Sequence, residues 1–443
     1  MRQSGLAFGG ICAVSASLLS SAAMAQDGGL RIVFGLENRL EVSRNSELSV
    51  PATGTDVLDV TRLSFGLFSE TEIDRLEFSV SGALIAENNS GSGTEFDFGR
   101  GAADLAYHRE VPAAVLDLGA FYRNDNVDAF DDALADADET GTRVDYGVTA
   151  GLEIGRTSSI GLALGAAYEA TDFQDASDPE LYDSTETRAD AAVIFHASEI
   201  ASARLGLRYS LREEEDPAAT RTETVTTYAG LAYAISQRLD LAAEIGYAET
   251  DTEEFGVTAR TTGPDLSLGL TYDMPVGTAT ALLRVTTDDD EGQRETFELG
   301  RELETPTATI SARLGITHAD EAGTDLIGRL AVDRRLPDGS LGLSLERSVA
   351  YDDEPVTMSR AGVTWSKNVN EISSISLEVS YELSDAPSER IEQVSFGAGY
   401  TRNLTAEWNL NGGVGYRIRN DGDGHAESPT LFVSISRDFE LRP

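Results

Sequence analysis

Arg204, Arg208 and Arg212 recur at every fourth residue, and the positions between them include Leu205, Leu207, Tyr209 and Leu211. On a strand, successive side chains point to opposite faces, so this spacing sets three guanidinium groups on one face as a basic ladder. Such a ladder can attract anions or orient a polar solute. It can equally be neutralised by carboxylates on adjoining strands, which is the more economical reading. Carboxylates of matching parity are present: Asp145 and Glu153 share a face with Arg143, Asp190 with Arg188, and Asp240 with Glu244. Together with Arg417 these residues are the expected lining of an aqueous surface. Arg284, Arg329, Asp333, Glu378 and Arg419 extend the same two-signed face.

Other chemistry finds less support. Catalysis on a wall of strands needs a histidine beside a serine or an acidic residue. Only His108, His196, His318 and His425 are available, and none lies in a nucleophile motif; His318 with Asp320 is the best pair. The glycines alternate along strands and form no phosphate-binding loop. Acidic clusters occur at Asp131–Asp132, Glu213–Asp216, Asp288–Glu291 and Asp421 with Asp423, but none has the ligand spacing of a calcium loop. We therefore expect no enzyme activity, metal site or cofactor. The formal charge of -42, from 76 acidic against 34 basic residues, argues against nucleic acid as a partner.

The elements that must position these residues are strands. Along Val144, Tyr146, Val148, Ala150, Leu152 and Ile154 every second residue is apolar, with Arg143, Asp145, Gly147, Thr149, Gly151 and Glu153 between. The same period returns from Leu30 to Ile435, in about 22 segments of the length a tilted transmembrane strand needs. No run after the N-terminal region approaches the ~20 apolar residues of a membrane helix. Residues 1–25 read as a cleaved signal peptide, with Arg2, an apolar stretch from Gly5 to Leu19, and Ala23-Met24-Ala25 as the cleavage site. The only cysteine, Cys12, falls inside it, so the mature chain offers neither disulfides nor thiolate chemistry.

Connections alternate between short ones (Gly155 to Ser158, Ser236 to Arg238, Leu336 to Ser340, Asn403 to Thr405) and longer acidic ones. The longer set is Asp125 to Thr140, Thr171 to Ser184, Glu213 to Thr220, Asp288 to Gly292, Asp352 to Pro355 and Asn420 to Ser428. Short periplasmic turns and long outer loops are the habit of outer-membrane barrels. A hairpin phrase also repeats: the stretch from Tyr228 to Tyr247 reads like that from Phe396 to Tyr416. Related hairpins run from Val148 to Tyr168 and from Ala361 to Tyr381, the last around Lys367-Asn368. Tyr122, Tyr168, Tyr209, Tyr247, Tyr272, Tyr381, Tyr400 and Tyr416 fall near strand ends, where an interfacial girdle would put them.

These features predict an all-β fold, a transmembrane antiparallel up-and-down β-barrel of about 22 strands within a range of 16 to 24, occupying residues 26–443 as one domain. From about Leu30 to Phe439 the chain resembles Gram-negative outer-membrane β-barrel proteins of the porin type, most closely in Gly-x-Gly-Tyr-Thr-Arg-Asn-Leu-Thr-x-x-Trp-x-Leu from Gly397. One departure is that Phe439 is followed by Glu440-Leu441-Arg442-Pro443 rather than ending the chain. The resemblance implies an outer-membrane location and contact with lipid and lipopolysaccharide. It also implies insertion by the barrel-assembly machinery, and porins of this type are often trimeric, so a homo-oligomer is an open state. Because strand pattern begins at Leu30, we expect no plug domain and an open or loop-narrowed pore for passive diffusion of polar solutes or ions. The alternatives are the barrel of a polysaccharide or other export system, and a structural or adhesive surface barrel without transport.

Overall fold

A strand with one apolar and one polar face is stable only where its apolar face leaves water, and in hydrocarbon every backbone N–H and C=O must also be paired. This chain meets both demands by closing its sheet. The computed structural model describes residues 29–442 apart from 90–92, 128–140, 180, 289–291, 321–322, 352–354, 388–389 and 423. The strands are β1 (Leu30–Arg44), β2 (Thr55–Glu70), β3 (Asp74–Asn89), β4 (Gly93–Val111), β5 (Ala114–Asn126), β6 (Thr142–Ile154), β7 (Ile160–Gln174), β8 (Ser184–Ser198), β9 (Ala201–Glu214), β10 (Arg221–Ser236) and β11 (Leu239–Glu254). They continue as β12 (Val257–Asp273), β13 (Thr278–Asp288), β14 (Gly292–Glu304), β15 (Ala308–Ala319), β16 (Gly323–Leu336), β17 (Gly339–Tyr351), β18 (Pro355–Asn370), β19 (Ser373–Asp385), β20 (Arg390–Asn403), β21 (Trp408–Asp421) and β22 (Gly424–Leu441). Each pairs antiparallel with its sequence neighbours. The 22-stranded sheet closes where β22 meets β1, from Ile32 opposite Leu441 to Ser43 opposite Thr430.

The outward face of the wall is apolar and exposed: Leu205, Leu207, Leu231, Ile245, Leu314, Val414 and Leu431 are all open to the surroundings. Across β1, β2 and β3 on that side, Phe34 packs tilted against Phe65, and Phe65 meets Phe78 edge to face. No helix among the described residues is long and apolar enough to cross a membrane. Strand spacing of ~4.8 Å and a tilt of ~40° give 22 strands a backbone diameter of roughly 43 Å, which leaves a lumen roughly 30 Å wide inside the side chains.

The register sets the barrel's height in the membrane. Tyr146 lies opposite Tyr122, and Tyr168 sits two residues nearer the periplasmic end than Ala170, the partner of Tyr146 on β7. Two strands further on, Tyr209 lies two residues below Leu211, and then Tyr247 lies two below Glu249. From β19 to β21 the step recurs, Tyr416 lying two below Ile418. One residue per strand is the drop that tilted strands need to hold a constant height. Tyr122, Tyr168, Tyr209, Tyr247, Tyr381 and Tyr416 therefore form one belt on the outer side, while Tyr272 and Tyr400 lie near the periplasmic ends. Nine residues below Tyr209, roughly 23 Å along the barrel axis, is the turn residue Ile200. Ile200, Ile235, Val276, Ile372 and Leu404 are exposed aliphatics at or beside the periplasmic turns, so the apolar band ends where the turns begin.

The expected connections require corrections. Lys367 and Asn368 lie within β18, and the turn falls at 371–372 after a register shift between Asn368 and Asn370. The segment from Asn420 to Ser428 is mostly strand, with Asn420 opposite His425 and Asp421 opposite Gly424. Glu213 and Glu214 end β9 rather than starting a loop. Beyond the membrane both faces of a strand are polar, so the period-2 hydrophobic signal vanishes although the ladder continues. Phe439 faces outward and β22 runs past it to Leu441, which pairs with Ile32, so two of the extra residues extend the terminal strand. The signal segment, Asp131–Asp132, Asp289–Glu291 and Asp423 lie outside the described residues.

Candidate functional site on the inner wall

Side-chain parity decides which residues face the lumen. Opposite Leu205, Leu207 and Tyr209 on β9 stand Arg204, Arg208 and Arg212, and opposite Leu241 and Ile245 on β11 stand Asp240 and Glu244. By the same parity Arg143, Asp145 and Glu153 on β6, Arg188 and Asp190 on β8, and Arg417 on β21 are also on the inner face. The fold thus gathers β6, β8, β9 and β11 into one charged sector and sets Arg417 on the far side of the chain's closure.

Within the sector, register partners are not the bonding partners. Arg208 lies directly opposite Asp190, yet its guanidinium reaches across β10 to Glu244 and sits 3.7 Å from Asp265 on β12. Arg204 binds the other oxygen of Glu244. Arg204 and Glu244 lie on one register line through Gly230, which has no side chain to stand between them, and Arg208 reaches Glu244 along a diagonal. Glu244 is the hub: its side chain is only 10% exposed and bridges two arginines. Tyr228 on β10 lies beneath, 6% exposed, with the Arg208 guanidinium 4.1 Å and the Arg204 guanidinium 5.5 Å from its ring centre. Arginine stacked on a ring and forked to a carboxylate is held in one plane.

The remaining charges pair locally. Arg212 binds Glu214 at 2.6 Å and Arg188 binds Glu186 with two nitrogens. Arg143 binds Asp145 at 3.1 Å, and Asp145 also accepts from the Thr171 hydroxyl at 2.6 Å. Glu153 lies 3.8 Å from Arg156. Arg417 donates to the Ser46 carbonyl at 2.6 Å, clamping the loop between β1 and β2 to the inner wall. Asn45 organises that loop, donating to the Ser49 carbonyl and accepting from the Ser49 and Thr53 amides, each at 3.1 Å. Leu48 is buried there at 5% exposure. Asp190 and Asp240 have no hydrogen bond or ion pair among the described residues.

Sequence reasoning missed Tyr228, Asp265 and Glu186. Parity against Leu231 and Leu268 could have placed the first two inward. Their roles depend on which strands adjoin, which parity does not give.

The histidines are scattered. His108 on the inner face of β4 lies 2.6 Å from Asp117 through Nδ1. His318 contacts the Thr324 hydroxyl at 2.9 Å and the Gly323 carbonyl at 3.1 Å, not Asp320. His425 lies in β22, with Nδ1 2.7 Å from Asn420 and Nε2 3.1 Å from Glu427. No group of three or more potential metal ligands occurs among the described residues.

Outside the wall, Asp216 in the turn between β9 and β10 accepts from the Thr220 amide and hydroxyl, both at 2.7 Å. The bond from the Thr220 amide is the main cause that holds its carboxyl below the ordinary aspartate range.

No known protein family matches the sequence, and no curated protein matches it. Solved structures match the fold. The FrpB iron transporter from Neisseria meningitidis (F5-1 variant) aligns with a TM-score of 0.61 at 8% identity, over 93% of this chain and 83% of that one. The ferric-catecholate import receptor Fiu from E. coli K12 aligns at 0.59 and 10%, over 94% and 82%. The copper transporter OprC aligns at 0.55 and 11%, over 94% and 81%. These are named as transporters and an import receptor rather than as porins, which narrows the resemblance read from sequence to the general type. The chain has the closed, antiparallel 22-stranded fold of outer-membrane β-barrel proteins.

Proposed function

We propose that this barrel carries polar solutes across the outer membrane. The observation that supports the reading best is the division of the wall, with exposed aliphatics and a tyrosine belt outside and a two-signed, hydrogen-bonded charge network inside. A barrel serving only as a surface anchor has no need of a polar interior, whereas a water-filled passage does. The relatives in fold, named for iron, ferric-catecholate and copper transport, add weight to transport as a class. Among the lining residues, the Arg204–Arg208–Glu244–Asp265 sector gives the wall fixed charges of both signs, which suits selection among charged solutes more than bulk filtration.

Whether passage is passive diffusion turns on the lumen. At roughly 30 Å an unobstructed opening would abolish the barrier function of the membrane, and barrels of 22 strands are ordinarily filled where smaller porins stay open. Tracer efflux from vesicles holding the refolded barrel tests the reading: graded release of small sugars over large dextrans supports passive passage. Retention of every tracer by folded protein would reject passive passage and favour a lumen closed until a partner or ligand opens it.

A further inference from the structure

The inner wall of β7–β10 carries an open cavity of about 480 Å³. Small residues line much of it, among them Gly165, Ala167 and Ser210, and Thr224 and Thr226 border it on β10. Asp190 stands in the middle. Its register partner Arg208 is drawn away to Glu244 and Asp265, and Arg188, two residues along the same strand, is held by Glu186. The carboxylate is left facing the cavity with no bonded partner among the described residues, directly over Gly165, where any Cβ would collide with it.

We propose that this cavity is a lumenal binding subsite for small organic cations that carry a primary ammonium and hydroxyl groups. The ammonium would donate to the Asp190 carboxylate, and the solute's hydroxyls would exchange hydrogen bonds with Ser210. Commitment of the charges supports the sign. The charged residues lining the cavity are Glu186, Arg188, Asp190 and Arg208; Arg188 is paired with Glu186 and Arg208 with Glu244, which leaves the Asp190 carboxylate as the uncommitted charge. The arginines are already committed, so an anion would meet no free donor of equal strength. A charge-assisted hydrogen bond in a half-enclosed site contributes more than a neutral one, and its loss is worth about tenfold in affinity. The subsite deepens the transport reading and rests on it for its purpose, but its occupancy can be measured without transport.

Protonated glucosamine and glucose form a suitable pair of probes, alike in size and hydroxyls and differing in the ammonium. Binding to the refolded full chain in detergent at low salt, followed by saturation-transfer NMR, should show glucosammonium bound and glucose about tenfold weaker or undetected. Asp190→Asn should weaken glucosammonium about tenfold, and Gly165→Ala, which keeps the charge but displaces it, should also weaken it. Asp104→Asn, which removes a carboxylate from the distant strand β4, should leave binding unchanged; folding of each variant is checked by heat-modifiable migration. Equal binding of the two sugars, or equal loss in D190N and D104N, would overturn the subsite and reduce the effect to diffuse electrostatics. Binding that persists in a barrel that passes no tracer would uphold the subsite while rejecting passive passage.

Discussion

The inner wall's electrostatics hinge on Glu244, because one carboxylate neutralises two arginines. Glu244→Gln keeps the shape and removes the counter-charge, so reversal potentials in a salt gradient of about 0.1 M should shift toward anions, with the shift shrinking near 1 M as screening shortens to ~3 Å. Stability should change by no more than about 1 kcal/mol, since both guanidinium groups remain roughly half exposed to an aqueous lumen. A second residue-scale outcome concerns Asp216. Its folded carboxyl ionises below the ordinary range, so its contribution to holding the β9–β10 turn is complete above that range and is lost as pH falls through the depressed value. At neutral pH, hydrogen exchange at the Thr220 amide should be faster in Asp216→Ala than in the parent. Equal rates would show that the carboxylate does not hold the turn. Which residues share a face of a strand was legible from the sequence, because strand parity is a strict period of two. Pairing was not: Arg208 and Asp190 are opposite in register, yet Arg208 pairs with Glu244 on β11 and Asp265 on β12, while Asp190 has no bonded partner among the described residues.

Elements were legible where the membrane imposes alternation and obscure where it does not. The strands through the apolar band, and the hairpins β6–β7, β10–β11 and β20–β21, follow the pattern directly. The turn at 371–372 was displaced because Val369 continues the outward apolar series beyond Lys367. The polar extension of β21 and β22 resembles a loop in composition, yet its ladder is unbroken. Turns carry their own constraint. In the turn after β12 the Met274 amide donates to the Gly277 carbonyl at 3.0 Å, and Gly277 has a φ of +77°. A Cβ there would also strike the Glu302 carbonyl. Gly277→Ala should therefore destabilise the barrel by about 1–3 kcal/mol, seen as a lower urea midpoint in reversible unfolding from vesicles. An unchanged midpoint would mean that the β12–β13 turn is not formed as described.

For the whole molecule, the tyrosine belt and the aliphatic turns bound an apolar band roughly 23 Å tall. Hydrophobic matching then predicts that the urea midpoint is highest in phosphatidylcholines of about that hydrocarbon thickness and declines steadily in longer-chain lipids. A midpoint indifferent to chain length would contradict the assigned belt. The strand number was legible because each segment must be counted once, whereas the belt emerges only when the register is followed around the closure. Whether this closed wall is an open path for polar solutes is decided by planar-bilayer recording of the refolded chain. Discrete conductance steps are expected, with a reversal potential that moves toward anions in Glu244→Gln. Steps that are blind to that substitution, or silence from protein shown by circular dichroism to be folded sheet, would contradict an open solute path along this wall.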